Sequence, residues 1–155
     1  MRYAVIQTPL GSVTLTSTAK GLAALQFGNH IPFDGIVDHE SNRIFIEQLD
    51  QYFQGKRRHF DFPLDFSGTP FQVAVWHELM KIPYGETCSY GDIARKLGKP
   101  GASRAVGMAN HENHIAIVIP CHRVLGHDGS LTGYAGGIHL KQQLLSLERT
   151  TPLFT

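Results

Sequence analysis

A thiol, an imidazole and a guanidinium stand side by side in the run IVIPCHRVL, Ile117 to Leu125, with a proline just before the sulfur. These residue types suit nucleophilic chemistry. A thiol is a weak nucleophile at neutral pH because only a few per cent of it is thiolate. A neighbouring base or cation lowers its pKa. Here His122 is the adjacent base and Arg123 the adjacent positive charge, while Pro120, after a β-branched apolar lead-in, fixes where Cys121 points. A third group must then orient the imidazole. Glu148 qualifies by residue type alone. The plainer alternative is inert packing, since free cysteine is among the most buried residue types. Cys88 is read that way, and Cys-His adjacency by itself does not displace that reading at Cys121.

The elements that must position these groups fall into two halves. The first 30 residues alternate in the manner of strands, as YAVIQTPLG, SVTLTSTAKG and LAALQFG, each closed by turn residues, which predicts a small antiparallel sheet. SNRIFIEQLDQYFQG then places Ile44, Phe45, Leu49, Tyr52 and Phe53 on one helical face, with Gly55 beyond its end. RRHFDFPLDFSG alternates again and reads as a last strand, its charges and Pro63 suiting an edge or a linker. The domain boundary is expected near Phe66 to Thr69, giving domains of residues 1–68 and 69–155.

The second half reads as helical. Thr69 caps a helix with Pro70 at its first position. Ser89 and Asp92 form a short capping box before a second helix, which Gly98 ends. ASRAVGMANH is a third helix, and two short helices around a Gly-containing turn make a helix-turn-helix. IAIVIP reads as a buried strand or extended segment, GHDGSLTGYAGG as loop, and HLKQQLLSLER as a closing helix with Leu140, Leu144, Leu145 and Leu147 inward. The expected fold class is α+β: a small sheet domain followed by a mainly helical domain with a helix-turn-helix.

Composition narrows the function classes. Hydrophobic residues make up 42% and charged residues 17% of 155 positions, the balance of a globular chain. No apolar run approaches the ~20 residues of a membrane span, and the start lacks the apolar core of a secretory signal. Two cysteines make no disulfide framework, so a reducing cytoplasm is the expected setting. Net charge is +1; residues 1–70 carry six Lys and Arg against seven Asp and Glu, residues 71–155 eight against six. That tilt permits DNA binding by the second half without requiring it.

The motif IPCHRV resembles the active-site signature of the O6-alkylguanine-DNA alkyltransferases, the methylguanine methyltransferase family. TPFQVAVWHELMKIPYGETCSYGDIARKLGKPGASRAVGMAN resembles the family's segment leading to that site, and GSLTGYAGGIHLKQQLLSLE its closing segment. The likeness is specific from Thr69 to Glu148 and weaker before. It implies repair by direct, single-use transfer of the alkyl group of O6-alkylguanine in duplex DNA to Cys121, with O4-alkylthymine left open as a second lesion. It implies His122 as the base acting through a water, Glu148 as the acid holding the histidine, and Asn113 as the brace of the active-site turn. Tyr90 is then the residue that helps turn out the nucleotide, while Tyr134, Ser130 and Gly136 line the alkyl pocket. Arg104 fills the vacated stack, and Ala102, Ser103, Ala105 and Gly107 lie on the recognition helix.

These roles have a physical basis. The guanine O6 lies on the paired edge, so the nucleotide must be extruded at a cost of a few kcal/mol. Arginine offsets the lost stacking with a flat charged group. Small residues give a helix the thin profile needed to enter a minor groove about 6 Å wide. Attack on an sp3 carbon leaves a thioether with no carbonyl for water to attack, so the sulfur is not regenerated. No cofactor and no metal are expected, the partner is double-stranded DNA and not a membrane, and the chain is expected to be monomeric.

Two departures stand out. The family has Asn-Pro where this chain has Asn113-His114, and the cysteines that hold zinc in some members have no counterpart in residues 1–70. His111 and His114 have a metal-ligand spacing but no accompanying cluster. A damage-binding module of the alkyltransferase-like kind would lack the cysteine. A Cys-His-Glu hydrolase would need an oxyanion hole and would leave the helix-turn-helix without a purpose.

Overall fold

The computed structural model describes residues 1–134 and 136–150 and divides into two compact units, Met1–Phe66 and Ser67–Arg149. The chain end assigned from sequence to the second domain, 151–155, lies outside the described residues, as does Ala135.

In the first unit, strands β1 (Arg2–Thr8), β2 (Gly11–Thr18) and β3 (Gly21–Phe27) form antiparallel neighbours. A two-residue strand, β4 (Ile36–Val37), adds to β1 in parallel, giving the order β3-β2-β1-β4. Ala4, Val13, Leu15, Leu22 and Leu25 form the sheet's buried contribution. Helix α1 (Arg43–Phe53) lays Phe45, Gln48, Leu49 and Tyr52 inward at spacings of three, four and seven. Ile44, expected on that face, is instead exposed, because its position falls outside this stripe.

The expected last strand within 57–68 does not form. Phe62 packs edge-on against Phe45 with ring centres 4.8 Å apart. The Gln48 amide takes both backbone groups of Asp61, at 2.8 and 3.2 Å. With those groups spent on α1, the segment reaches the sheet through one isolated bridge, Leu22 to Leu64, and through Thr18 Oγ1, which donates to Asp65 Oδ2 at 2.6 Å. Sequence alternation signalled two-sided packing here, and the helix supplied the partner.

The second unit is helical: α2 (Pro70–Leu79), α3 (Tyr90–Lys96), α4 (Ser103–His111) and α5 (Ile138–Thr150). Both capping boxes form. Thr69 accepts from Gln72 N–H while Gln72 accepts from Thr69 N–H. Ser89 and Asp92 do the same for α3. Gly98 has φ +70, the left-handed conformation that ends a helix without a Cβ penalty. Helices α3 and α4 pack on each other and α4 packs on α2, with Trp76 Nε1 donating to Ala109 O at 2.9 Å. Strands β5 (Cys88–Ser89) and β6 (Val124–Leu125) pair in parallel, so the start of α3 is tied to the residues just after the Cys-His-Arg turn.

The segment 115–120 is a series of turns and not the expected extended run. Its three isoleucines are buried as expected. Ile117 adopts φ +71, a costly conformation for a β-branched residue. Asn113 replaces the missing ladder: its Oδ1 accepts from Ile115 N–H at 2.9 Å and its Nδ2 donates to Ile119 O at 2.8 Å. No helix among the described residues is long and apolar enough to cross a membrane.

Candidate active site

Cys121, His122 and Arg123 form one 3-10 turn that opens directly out of Pro120. All three are buried, and Cys121 is 5% exposed. Helix α5 brings Glu148 to this turn across 26 residues of chain: His122 Nε2 lies 2.7 Å from Glu148 Oε2. Arg123 grips the same carboxylate, Nε to Oε1 at 2.8 Å and Nη2 to Oε2 at 3.0 Å, and its Nη1 donates to Ile82 O at 2.7 Å. Sequence reading gave Arg123 only a nearby charge. The fold makes it the guanidinium that holds the Glu148 carboxylate.

The electrostatics follow from this packing. Burial alone would raise the Glu148 carboxyl, but the hydrogen bonds and charges of His122 and Arg123 hold it far below the usual carboxylate range. Glu148 is therefore ionised. Burial lowers the His122 pKa against the pull of Glu148, so the imidazole is neutral near pH 7. A neutral ring donating from Nε2 carries its lone pair on Nδ1. Nδ1 is buried and has no hydrogen-bond partner.

The thiol departs from the sequence expectation. Burial pushes Cys121 up, and the Asn113 amide and the Lys141 ammonium only partly counter this. The resting group is a neutral thiol, because the desolvation of a buried sulfur outweighs the nearby positive charge. Burial likewise holds the Tyr134 hydroxyl well above its usual range, with the Glu148 charge, and that of Cys121 whenever it ionises, adding to it.

Two polar side chains at this centre were not singled out from sequence. Lys141 of α5 is fully buried and donates to Val124 O at 2.6 Å and Thr132 O at 2.8 Å. Its signal was its place on the inward face of α5, three, four and seven residues before Leu144, Leu145 and Glu148. Asn110 of α4 donates to Cys121 O at 3.3 Å. No sequence signal marks it, since its partner comes from a separate turn.

A groove of about 1140 Å³ runs beside α3 and α4, lined by Tyr90, Ser103, Arg104, Gly107, Met108 and Gly133 among others. The Tyr90 hydroxyl donates to Thr132 O at 3.1 Å. Gly133 has φ +56, the left-handed conformation that favours glycine, while a Cβ there would make only ordinary contact with the Tyr90 oxygen at 3.6 Å. Cys121 does not line this groove.

The remaining candidates fall as follows. Arg104 and Ala105 are exposed on α4, and Ala102 precedes its first turn. Ala109, also on α4, is buried in the interior. Gly136 is exposed, and a Cβ there would lie 3.1 Å from the Tyr134 ring. Ser130 sits in an exposed turn, its N–H donating to Asp128 Oδ1 at 3.0 Å. The structure thus gathers Cys121, His122, Glu148, Asn113 and Tyr134 into one centre, while Ser130 is exposed. His111 and His114 are both exposed, and no cluster of three or more potential metal ligands occurs among the described residues.

Fold and site together define a two-unit protein whose second unit holds both a buried Cys121, His122 and Glu148 and a helix-turn-helix. The model of the 6-O-methylguanine DNA methyltransferase DNA-binding domain matches residues 70–150, and that of the same family's ribonuclease-like domain matches residues 1–66. The chain belongs to the 6-O-methylguanine DNA methyltransferase family. A methylated-DNA–protein-cysteine methyltransferase of Methanosarcina barkeri is 49% identical over 153 residues, covering 96% of this chain and 97% of its own. That of Mycolicibacterium paratuberculosis is 47% identical, covering 96% and 93%. The crystal structure of Mycobacterium tuberculosis OGT in complex with DNA superposes with a TM-score of 0.93 at 45% identity, covering 98% of this chain and 95% of that one.

Proposed function

We propose that this chain repairs duplex DNA carrying O6-alkylguanine by moving the alkyl group, once, onto Cys121. The observation that carries the reading is the buried row of Cys121, His122 and Glu148, with the Nδ1 lone pair of His122 unclaimed.

His122 takes the thiol proton at Nδ1, and Glu148 stabilises the imidazolium that results. Because burial disfavours a standing thiolate, the proton leaves as the sulfur–carbon bond forms. The bond from the alkyl carbon to O6 breaks, the oxygen keeps its electron pair, and guanine regains its N1 proton. That uptake balances the proton lost by the thiol. Asn113 fixes the turn that carries the sulfur. Tyr134 walls the alkyl pocket, and Gly136 leaves its edge low.

The base reaches the sulfur only after leaving the double helix. Helix α4 offers small side chains at Ala102, Ser103, Ala105 and Gly107 to the minor groove, and exposed Arg104 takes the place of the departed base. Tyr90, on the groove wall, exchanges its Thr132 partner for the extruded base when a nucleotide enters. The S-alkyl product cannot be hydrolysed, so each molecule acts once.

Intact mass measurement tests this. After incubation with duplex DNA bearing O6-methylguanine, each chain gains one methyl in exchange for one hydrogen, and Cys121→Ala binds the DNA without gaining mass. Repair by Cys121→Ala would show that the nucleophile is misassigned, and unaltered wild-type mass would indicate a binder of lesions instead.

A further inference from the structure

Helix α4 reaches the nucleophile from its buried side. Arg104, Met108 and His111 occupy its groove face, and Val106, Ala109 and Asn110 its interior face. Asn110 is 2% exposed, and its Nδ2 donates to the carbonyl of Cys121 at 3.3 Å. The same carbonyl accepts Val124 N–H, so both of its lone pairs are engaged. Asn113 braces Ile115 and Ile119 upstream of the proline and its amide acts on the Cys121 sulfur, whereas Asn110 takes the Cys121 backbone. One residue before Asn110, the Trp76 indole pins Ala109 O and so fixes this turn of α4 against α2.

The other end of the Asn110 amide has no partner. Its Oδ1 is buried and unbonded. A half-satisfied buried amide is less stable than an apolar side chain of the same shape. The Cys121 carbonyl would keep its Val124 partner without it, so satisfying that carbonyl is no reason to hold an amide here. What the amide alone provides is a direct link between the helix that walls the groove and the residue that bears the sulfur.

We infer that Asn110 is a positioning residue for alkyl transfer: from the interior face of α4 it holds the Cys121 backbone, and so registers the sulfur against a base seated by that helix. The inference rests on the alkyl-transfer reading above. It assigns Asn110 no contact with the substrate. A reacting atom displaced by about 1 Å costs on the order of 100-fold in rate, and loss of this tether acts on that scale.

Asn110→Leu is the informative variant, because it keeps the volume and removes the unbonded acceptor together with the donor. Its thermal midpoint is expected to equal or exceed that of the wild type, and its affinity for undamaged duplex to be unchanged. Its rate with O6-methylguanine duplex, and with free O6-benzylguanine, falls roughly 10- to 100-fold. Asn110→Ala, assayed per folded molecule by circular dichroism, gives the same loss and serves if leucine overpacks. Wild-type rates in the folded variants overturn the inference. So does a rate loss that only follows the unfolded fraction at the assay temperature. Failure of the wild type to transfer any alkyl group would instead sink the alkyl-transfer reading itself.

Discussion

Replacing Glu148 by glutamine removes one negative charge and little else. The carboxylate is 1% exposed and holds a guanidinium that is 7% exposed. It also holds His122 at 2.7 Å. A glutamine can still accept from His122 Nε2–H, but its NH2 then faces Arg123, and the guanidinium is left buried without a counter-charge. Breaking a buried pair by removing one partner costs about 3–5 kcal/mol. At roughly 2–4 °C per kcal/mol for a chain of this size, the melting temperature falls by about 6–20 °C. The rate with free O6-benzylguanine falls by ~10²–10⁴, the range of general-base assistance, because the imidazolium loses its stabilising charge. Calorimetry and a single-turnover assay at 25 °C measure both. A control separates charge from shape: the double variant Arg123→Met, Glu148→Leu removes both charges and recovers about half or more of the lost stability. The acid limb adds a sign. A carboxyl held below its ordinary 4.5 contributes stability that is whole above that value and is lost as pH falls through the lowered one. Glu148→Gln therefore shows a flatter acid limb than the wild type. A loss under about 1 kcal/mol, or a double variant as unstable as the two single losses combined, would refute the account of Glu148 as the counter-charge of this centre.

Two further outcomes follow from the same geometry. Since burial keeps His122 neutral below its ordinary 6.5, the transfer rate holds steady from pH 8 down past 6.5 and declines only below it. A tenfold climb per pH unit across that range would mean that the sulfur reacts as a pre-formed thiolate and that the relay is idle. Arg104→Ala, on the exposed face of α4, slows repair of lesion duplex by at least ~10-fold while leaving the rate with free O6-benzylguanine within about twofold, since stack filling matters only in a duplex; equal losses on both substrates would refute that role.

Local chemistry made much of the second unit legible. Thr69-Pro70-Gln72, Ser89-Asp92 and Gly98 each act within a few residues, and each forms the cap its type implies. Contacts closed by tertiary structure were not legible. Nothing local says that Arg123 will share Glu148 with His122 and also reach Ile82, because arginine is ordinarily a surface residue. Lys141 was hidden for the same reason. The run from Ile115 to Ile119 misled because a short β-branched segment reads as a strand whether its backbone bonds go to a neighbouring strand or, as here, to Asn113 and to turns within the segment itself. Residues 57–68 misled in the opposite sense: their alternation was real, but Gln48 and Phe45 of α1 claimed it before the sheet could.

The buried thiol presents an apparent contradiction, since a nucleophile is expected to be ionised and reachable, yet Cys121 is neutral, 5% exposed and off the groove. Under the proposed chemistry the contradiction resolves. A standing thiolate would meet any small electrophile, and a thioether formed there is permanent, so a molecule that acts once is wasted by every stray reaction. Burial removes that state: the desolvation that raises Cys121 also keeps His122 neutral, leaving Nδ1 free to take the proton at the moment of transfer. Of Cys121, His122 and Glu148, the carboxylate is the charged member, balanced by Arg123 before any substrate arrives. Reactivity is thereby tied to an alkyl carbon delivered to the sulfur, and selectivity comes from the route a base must take through the α3–α4 face more than from the strength of the nucleophile.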